Sequence, residues 1–189
     1  LALVGGSMGA CVALRAGTLI PNLRAVVAIA PPTDWKALVT FHRTAYVPTV
    51  EARCGGSPID WNQGGPAFAD VIDNVICGHL VCSDAEYNVR SPLLSVQNAR
   101  NPTLVLSAGD DNLVPISQQV MWSALRNVVG GTVAVEIRDR CAAATAPPLS
   151  KDVLFYVPGG FHLLEVGNIS SSLLYLLELL DAPASGSSF

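Results

Sequence analysis

The sequence is poor in charge, in histidine and in long apolar runs. Only 14% of its 189 residues are Asp, Glu, Lys or Arg, against roughly 25% in an average soluble domain. So few charges suit strands buried on both faces, which need no polar side. The net charge of −4 leaves no basic footprint for nucleic acid. No Lys/Arg cluster is present to hold an anionic membrane surface. A membrane-spanning helix requires ~20 apolar residues; the richest run here, Leu173 to Leu180, is short and carries Glu178. Nucleic acid and membrane are therefore not expected partners. No internal repeat is visible.

There is also no C-x-x-C pair among the five cysteines, Cys11, Cys54, Cys77, Cys82 and Cys141, which argues against a zinc ribbon or a thioredoxin-type site. An odd number at irregular spacing reads as free thiols in a reducing compartment, with the cytoplasm preferred. Cys77 and Cys82 could pair if the protein were secreted. The chain begins at Leu1, inside an apolar run, which reads as a strand entered partway.

What is present is a series of short apolar runs bounded by glycine and proline, at Leu1–Val4, Ala25–Ala30, Thr103–Ala108 and Val153–Val157. Such runs predict fully buried strands. Thr132–Ile137 is a possible further strand. Helical spacing predicts helices over Met8–Ala16, over Ser117–Val129 (Val120, Met121, Ala124, Leu125, Val128) and over Leu163–Leu180, with Leu173, Leu176, Leu177 and Leu180 as a core stripe. Alternating strands and helices predict a mostly parallel sheet covered by helices on both faces. Residues 35–98 break the rhythm and read as a cap insertion over the site. Residues 132–151 read as a surface excursion, and 182–189 as a flexible tail after a domain spanning 1–181.

Gly5-Gly6-Ser7-Met8-Gly9 matches G-x-S-x-G, in which a serine sits on a sharp strand-to-helix turn. Gly5 and Gly9 are expected to be small so that the turn can form. The helix then starts beneath the hydroxyl, placing the Met8 N–H where an oxyanion would develop. A serine nucleophile needs a base and an orienting carboxylate. Of the three histidines, His162 follows a strand and the turn Pro158-Gly159-Gly160-Phe161, at the strand end where open α/β sheets place their sites. His42 and His79 lie in the expected cap, with no strand end beside them. Asp110 or Asp111, after the strand Thr103–Ala108, can supply the acid. Asp34 is a rival, although its setting looks like a helix N-cap. Any of the three preserves the order Ser…Asp…His.

These residues resemble the α/β-hydrolase superfamily, and within it the catalytic domain of the prolyl oligopeptidase family and its esterase and dienelactone-hydrolase relatives. GGSMGA at 5–10, GGSP at 55–58 with RSPLL at 90–94, NPTLVLSAGDDNLVP at 101–115 and VPGGFH at 157–162 carry the resemblance. It implies a three-layer α/β-hydrolase fold, of which this chain is the C-terminal half. It also selects Asp111, three residues before Val114-Pro115, as the acid. The implied activity is Ser-His-Asp hydrolysis of a small peptide or an ester by Ser7, His162 and Asp111, with no metal or organic cofactor. The resemblance further implies missing N-terminal strands, supplied by the same gene or by a second chain, together with the second oxyanion donor. An inactive fragment is the competing expectation.

Overall fold

The computed structural model describes residues 1–54, 56–61, 64–144, 152–160, 162, 170 and 173–177. Five strands form one parallel sheet: β1 (Ala2–Gly6), β2 (Ala25–Ile29), β5 (Thr103–Ala108), β7 (Asp152–Val157) and β6 (Val133–Ile137), in the order β1-β2-β5-β7-β6. Aliphatic runs form the three inner strands because both of their faces are covered. Every residue of β5, TLVLSA, is buried, whereas the edge strands β1 and β6 are only partly covered.

Side chains alternate across the sheet and build two cores. On one face Val26, Ala28, Val105 and Leu154 meet Ala10 and Leu14 of α1 (Met8–Gly17), Leu93 and Val96 of the 3-10 helix Pro92–Asn98, and Trp122 of α5 (Ser117–Val128). On the other face Val27, Leu104, Leu106 and Phe155 pack with Tyr175. The result is the three-layer α/β-hydrolase fold, with helical cover on both sides of a parallel sheet.

Residues 35–98 fold as α2 (Trp35–Thr44), an antiparallel hairpin β3 (Thr49–Arg53) and β4 (Gly56–Trp61), α3 (Pro66–Cys77), α4 (Asp84–Arg90) and the 3-10 helix. Trp35, Leu38, Val39, Ala69, Ile72 and Tyr87 form a separate apolar cluster there, which also takes in Cys11 of α1. The Tyr87 hydroxyl donates to Asp73, which pairs with Arg43, so α2, α3 and α4 share a polar tie as well.

Helix α5 lies where the helical spacing predicts it, and two other expectations need correction. Helix α5 turns its apolar stripe outward: Val120, Met121, Leu125 and Val128 are exposed, while Gln118, Gln119, Trp122, Ser123 and Arg126 are buried. Hydrogen bonds to Gln118 and Gln119 and an ion pair between Arg126 and Asp152 compensate three of those buried polar side chains, so their burial follows partners rather than hydropathy. Residues 173–177 are helical, but Tyr175 is the fully buried residue and Leu173 and Leu177 are exposed. Most of the expected helix Leu163–Leu180, the segment 145–151 and the tail lie outside the described residues. Finally, the cysteines are not all free thiols. Cys54 bridges Cys141, Cys77 bridges Cys82, and Cys11 alone stays reduced and buried. The Cys54–Cys141 pair left no local signal because its partners are 87 residues apart.

Loop closure across 87 residues contributes about 4.5 kcal/mol in the chain-entropy account, and across the short Cys77–Cys82 loop about 2 kcal/mol. Thermal melts should therefore show a larger loss for Cys54→Ala/Cys141→Ala than for Cys77→Ala/Cys82→Ala. The reverse order would contradict the pairing.

Candidate active site

Strand β1 runs into α1 through a single residue, Ser7, at φ 51° and ψ −121°. That backbone conformation is sparsely populated for a residue with a Cβ and costs on the order of 1–3 kcal/mol. It is held from both sides. The Ser7 N–H donates to the Ile29 carbonyl, while Ala10 and Cys11 N–H groups donate to the Ser7 carbonyl. Gly5 is needed for this turn, since a Cβ there would lie 2.2 Å from the Gly9 carbonyl oxygen. A Cβ at Gly9 would meet no atom within 4 Å, so the smallness expected at that position has no steric basis among the described residues. The Ser7 side chain makes no capping bond to α1, which leaves its hydroxyl free for other partners.

Its partner is His162. The chain brings Nε2 of His162 to 3.0 Å from Ser7 Oγ, and Nδ1 to 2.8 Å from Asp111 Oδ2. An ionised carboxylate accepts only, so Nδ1–H donates to Asp111 and Nε2 accepts from the serine hydroxyl. The other oxygen of Asp111 accepts from the Leu113 and Val114 N–H groups, each at 2.9 Å. The Asp111 side chain is 1% exposed and that of His162 10%. The charge therefore sits in a shielded place where its interaction with the imidazole is strong.

The rival acids are elsewhere. Asp34 caps α2, accepting from the Ala37 N–H. Asp110 donates its backbone N–H to the Gly160 carbonyl, tying the acid turn to the histidine loop. His79 pairs with Glu86 at the surface. Together with Cys77 these two side chains form a cluster of metal-donor atoms, but the disulfide occupies the Cys77 sulfur.

Apolar side chains surround the serine and histidine. Pro32, Trp35, Leu38, Phe68, Ile72 and Val114 line a recess of about 30 Å³ that reaches Ser7 and His162. That is room for one or two water-sized groups. Helices α2 and α3 supply four of these walls. A larger apolar groove of about 430 Å³ lies beyond Met8, between α1 and helices α3 and α4, and reaches neither Asp111 nor His162.

Residues that sequence reading passed over brace the site. Gln118 accepts from the Thr33 and Asp34 N–H groups, and Gln119 donates to the Pro31 carbonyl and accepts from Ser107. They hold the loop between β2 and α2 against β5. His42, read as an ordinary cap histidine, is 1% exposed and bonds the Leu113 carbonyl at 2.9 Å. Its spacing offered a signal, because Trp35, Leu38, Val39 and His42 fall on the one buried face of α2.

On an α/β-hydrolase fold, a strained serine thus follows one strand, and an aspartate and a histidine follow later strands of the same sheet. Solved structures share the fold at low sequence identity. An acylaminoacyl peptidase from Pyrococcus horikoshii is similar at a TM-score of 0.57 and 14% identity over 95% of this chain and 23% of its own. A puromycin-hydrolysing peptidase from Mycobacterium tuberculosis is similar at 0.54 and 18%, over 95% of this chain and 21% of its own. The Thermus thermophilus protein TT1662 is similar at 0.54 and 16%, over 97% of this chain and 56% of its own. This chain thus spans less than a quarter of the two peptidases. No protein-family model matches the sequence, and no curated protein matches it.

Burial is the main cause that lowers the His42 pKa below its ordinary 6.5, and the Leu113 carbonyl and the Asp111 charge oppose the shift. The unfolded chain therefore takes up a proton that the folded chain resists. Stability from this group is complete above 6.5 and falls as the pH drops from there toward the folded value. Denaturant midpoints should be lower at about pH 5.5 than at about pH 7.5, and His42→Gln, which cannot titrate, should shrink the difference. An unchanged difference in His42→Gln would contradict this assignment.

Proposed function

We propose that this chain carries the catalytic machinery of a serine hydrolase, with a peptide bond as the preferred target. The observation that carries the reading is the unbroken path Ser7–His162–Asp111, at 3.0 and 2.8 Å. In this mechanism Ser7 Oγ attacks the substrate carbonyl while His162 Nε2 takes its proton. Asp111 holds the ring in the tautomer that can accept, and stabilises the imidazolium that results. The Met8 N–H, at the start of α1, receives the developing oxyanion. His162 then protonates the leaving amine or alcohol, and water hydrolyses the acyl-enzyme through the same groups. No step calls for a metal or an organic cofactor.

The apolar recess beside Ser7 favours a small apolar substituent on the substrate, and the segment 35–98, which supplies most of its walls, acts as a cap. Peptide cleavage is preferred because similar structures include peptidases, and a carboxylesterase is the second reading because one trio of residues serves both reactions. The outer edge of β1 pairs with no strand among the described residues, and Leu1 and Val4 are exposed there. The proposal accordingly includes further strands along that edge, from the same gene or from a second chain, bringing a second oxyanion donor. Loss of one such donor costs about 10²–10³ in rate, which is the basis for the competing reading of an inactive fragment.

Hydrolysis of a p-nitrophenyl ester and of an aminoacyl p-nitroanilide tests the assignment. The chain should cleave both, and Ser7→Ala should lose on the order of 10⁴-fold or more in kcat. Ester cleavage without anilide cleavage selects the esterase reading. A Ser7→Ala variant as active as the unaltered chain contradicts the proposal.

A further inference from the structure

The Asp111 turn is held from outside the sheet as well as from within. His42, on α2, sits between Phe41, Tyr46 and Phe68, with ring centroids 4.8 to 5.3 Å away. Both of its nitrogens have partners. Nδ1 accepts from the Gly65 N–H at 3.2 Å, which leaves the proton of the neutral ring on Nε2. That Nε2–H donates to the carbonyl of Leu113 at 2.9 Å. Leu113 is the residue whose N–H, with that of Val114, accounts for one Asp111 oxygen. Asn112 adds a second tie, its side-chain amide donating to the Val47 carbonyl just beyond α2. The acid turn is thus fastened to the insertion at two consecutive residues.

We propose that His42 is a positioning residue: its Nε2–H, bonded to the Leu113 carbonyl, fixes the turn that aims Asp111 and thereby sets the His162 imidazole in line with Ser7. This rests on the serine-hydrolase reading above. A residue present only to fill the aromatic pocket would need neither nitrogen, and phenylalanine would serve as well. Without the donor, the buried Leu113 carbonyl loses its partner, and the turn relaxes to find another. Relaxation there moves the carboxylate without removing any reacting group. The charged group that faces His42 from the neighbouring loop is Asp111 itself.

Two substitutions separate the donor from the ring. His42→Phe keeps the ring and loses the donor, while His42→Gln keeps an amide donor at the distance of Nε2. In ester hydrolysis, His42→Phe should lower kcat by about 10–100-fold with KM changed by less than about threefold, the scale of effect that small misalignments produce. His42→Gln should restore most of that loss. The downfield proton resonance of the His162–Asp111 hydrogen bond reads the same geometry without turnover; it should broaden or shift in His42→Phe and return in His42→Gln. A folded His42→Phe with unchanged kcat and resonance would overturn the proposal. So would a His42→Gln as impaired as His42→Phe, because that marks a packing role. If the resonance responds as described while Ser7→Ala leaves hydrolysis intact, the positioning role stands and only the hydrolase reading fails.

Discussion

The Asp111 carboxylate is where the loops of this protein are held in common. One oxygen closes its own turn through Leu113 and Val114, and the other holds His162, 51 residues further along the chain. A buried carboxylate is costly unless every lone pair finds a donor. Here the donors come from its own turn and from the histidine loop, so satisfying the charge also organises the site. The turn starts at the end of β5, and the His162 loop follows β7, the strand paired beside it. The sheet thus brings both groups to the same rim, and the bond from Asp110 N–H to Gly160 ties their loops before any side chain meets.

Ser7 depends on the same sheet in a different way. Its strained backbone persists because β1 pairs with β2 up to Gly6, and the Ile29 carbonyl receives the next N–H. The strain keeps the hydroxyl off the helix end, where an unstrained serine would form an N-cap. The cost is local, and the parallel pairing behind it offsets that cost. The segment 35–98 lines the recess with α2 and α3 and bonds the acid turn through His42 Nε2 to the Leu113 carbonyl and through the Val47 carbonyl to Asn112.

Strands and the elbow were legible in the sequence because their physics is local. Short apolar runs between glycine and proline marked β2, β5 and β7 to within a residue or two, and G-x-S-x-G marked the strained turn. The acid was ambiguous from the residues alone, since Asp34, Asp110 and Asp111 all follow strands. Their partners distinguish them: Asp34 caps its own helix through the Ala37 N–H, whereas the Asp110 backbone meets Gly160 and the Asp111 side chain meets His162, both far along the chain. Features that were misread or unforeseen share that cause. Helix α5 buries glutamines and an arginine because their partners lie on the loop after β2 and on β7. Cys54 and Cys141 meet across the fold, and no spacing rule connects them.

The proposed chemistry requires that Ser7, whose hydroxyl is bonded to a histidine held on a buried carboxylate, react where the other described serines do not. Reaction with a fluorophosphonate, followed by mass mapping of the modified peptide, tests it most directly. The account predicts a single adduct on Ser7, abolished in His162→Ala. A well-folded sample that takes up no reagent at Ser7, or takes it up equally after loss of the imidazole, would contradict it.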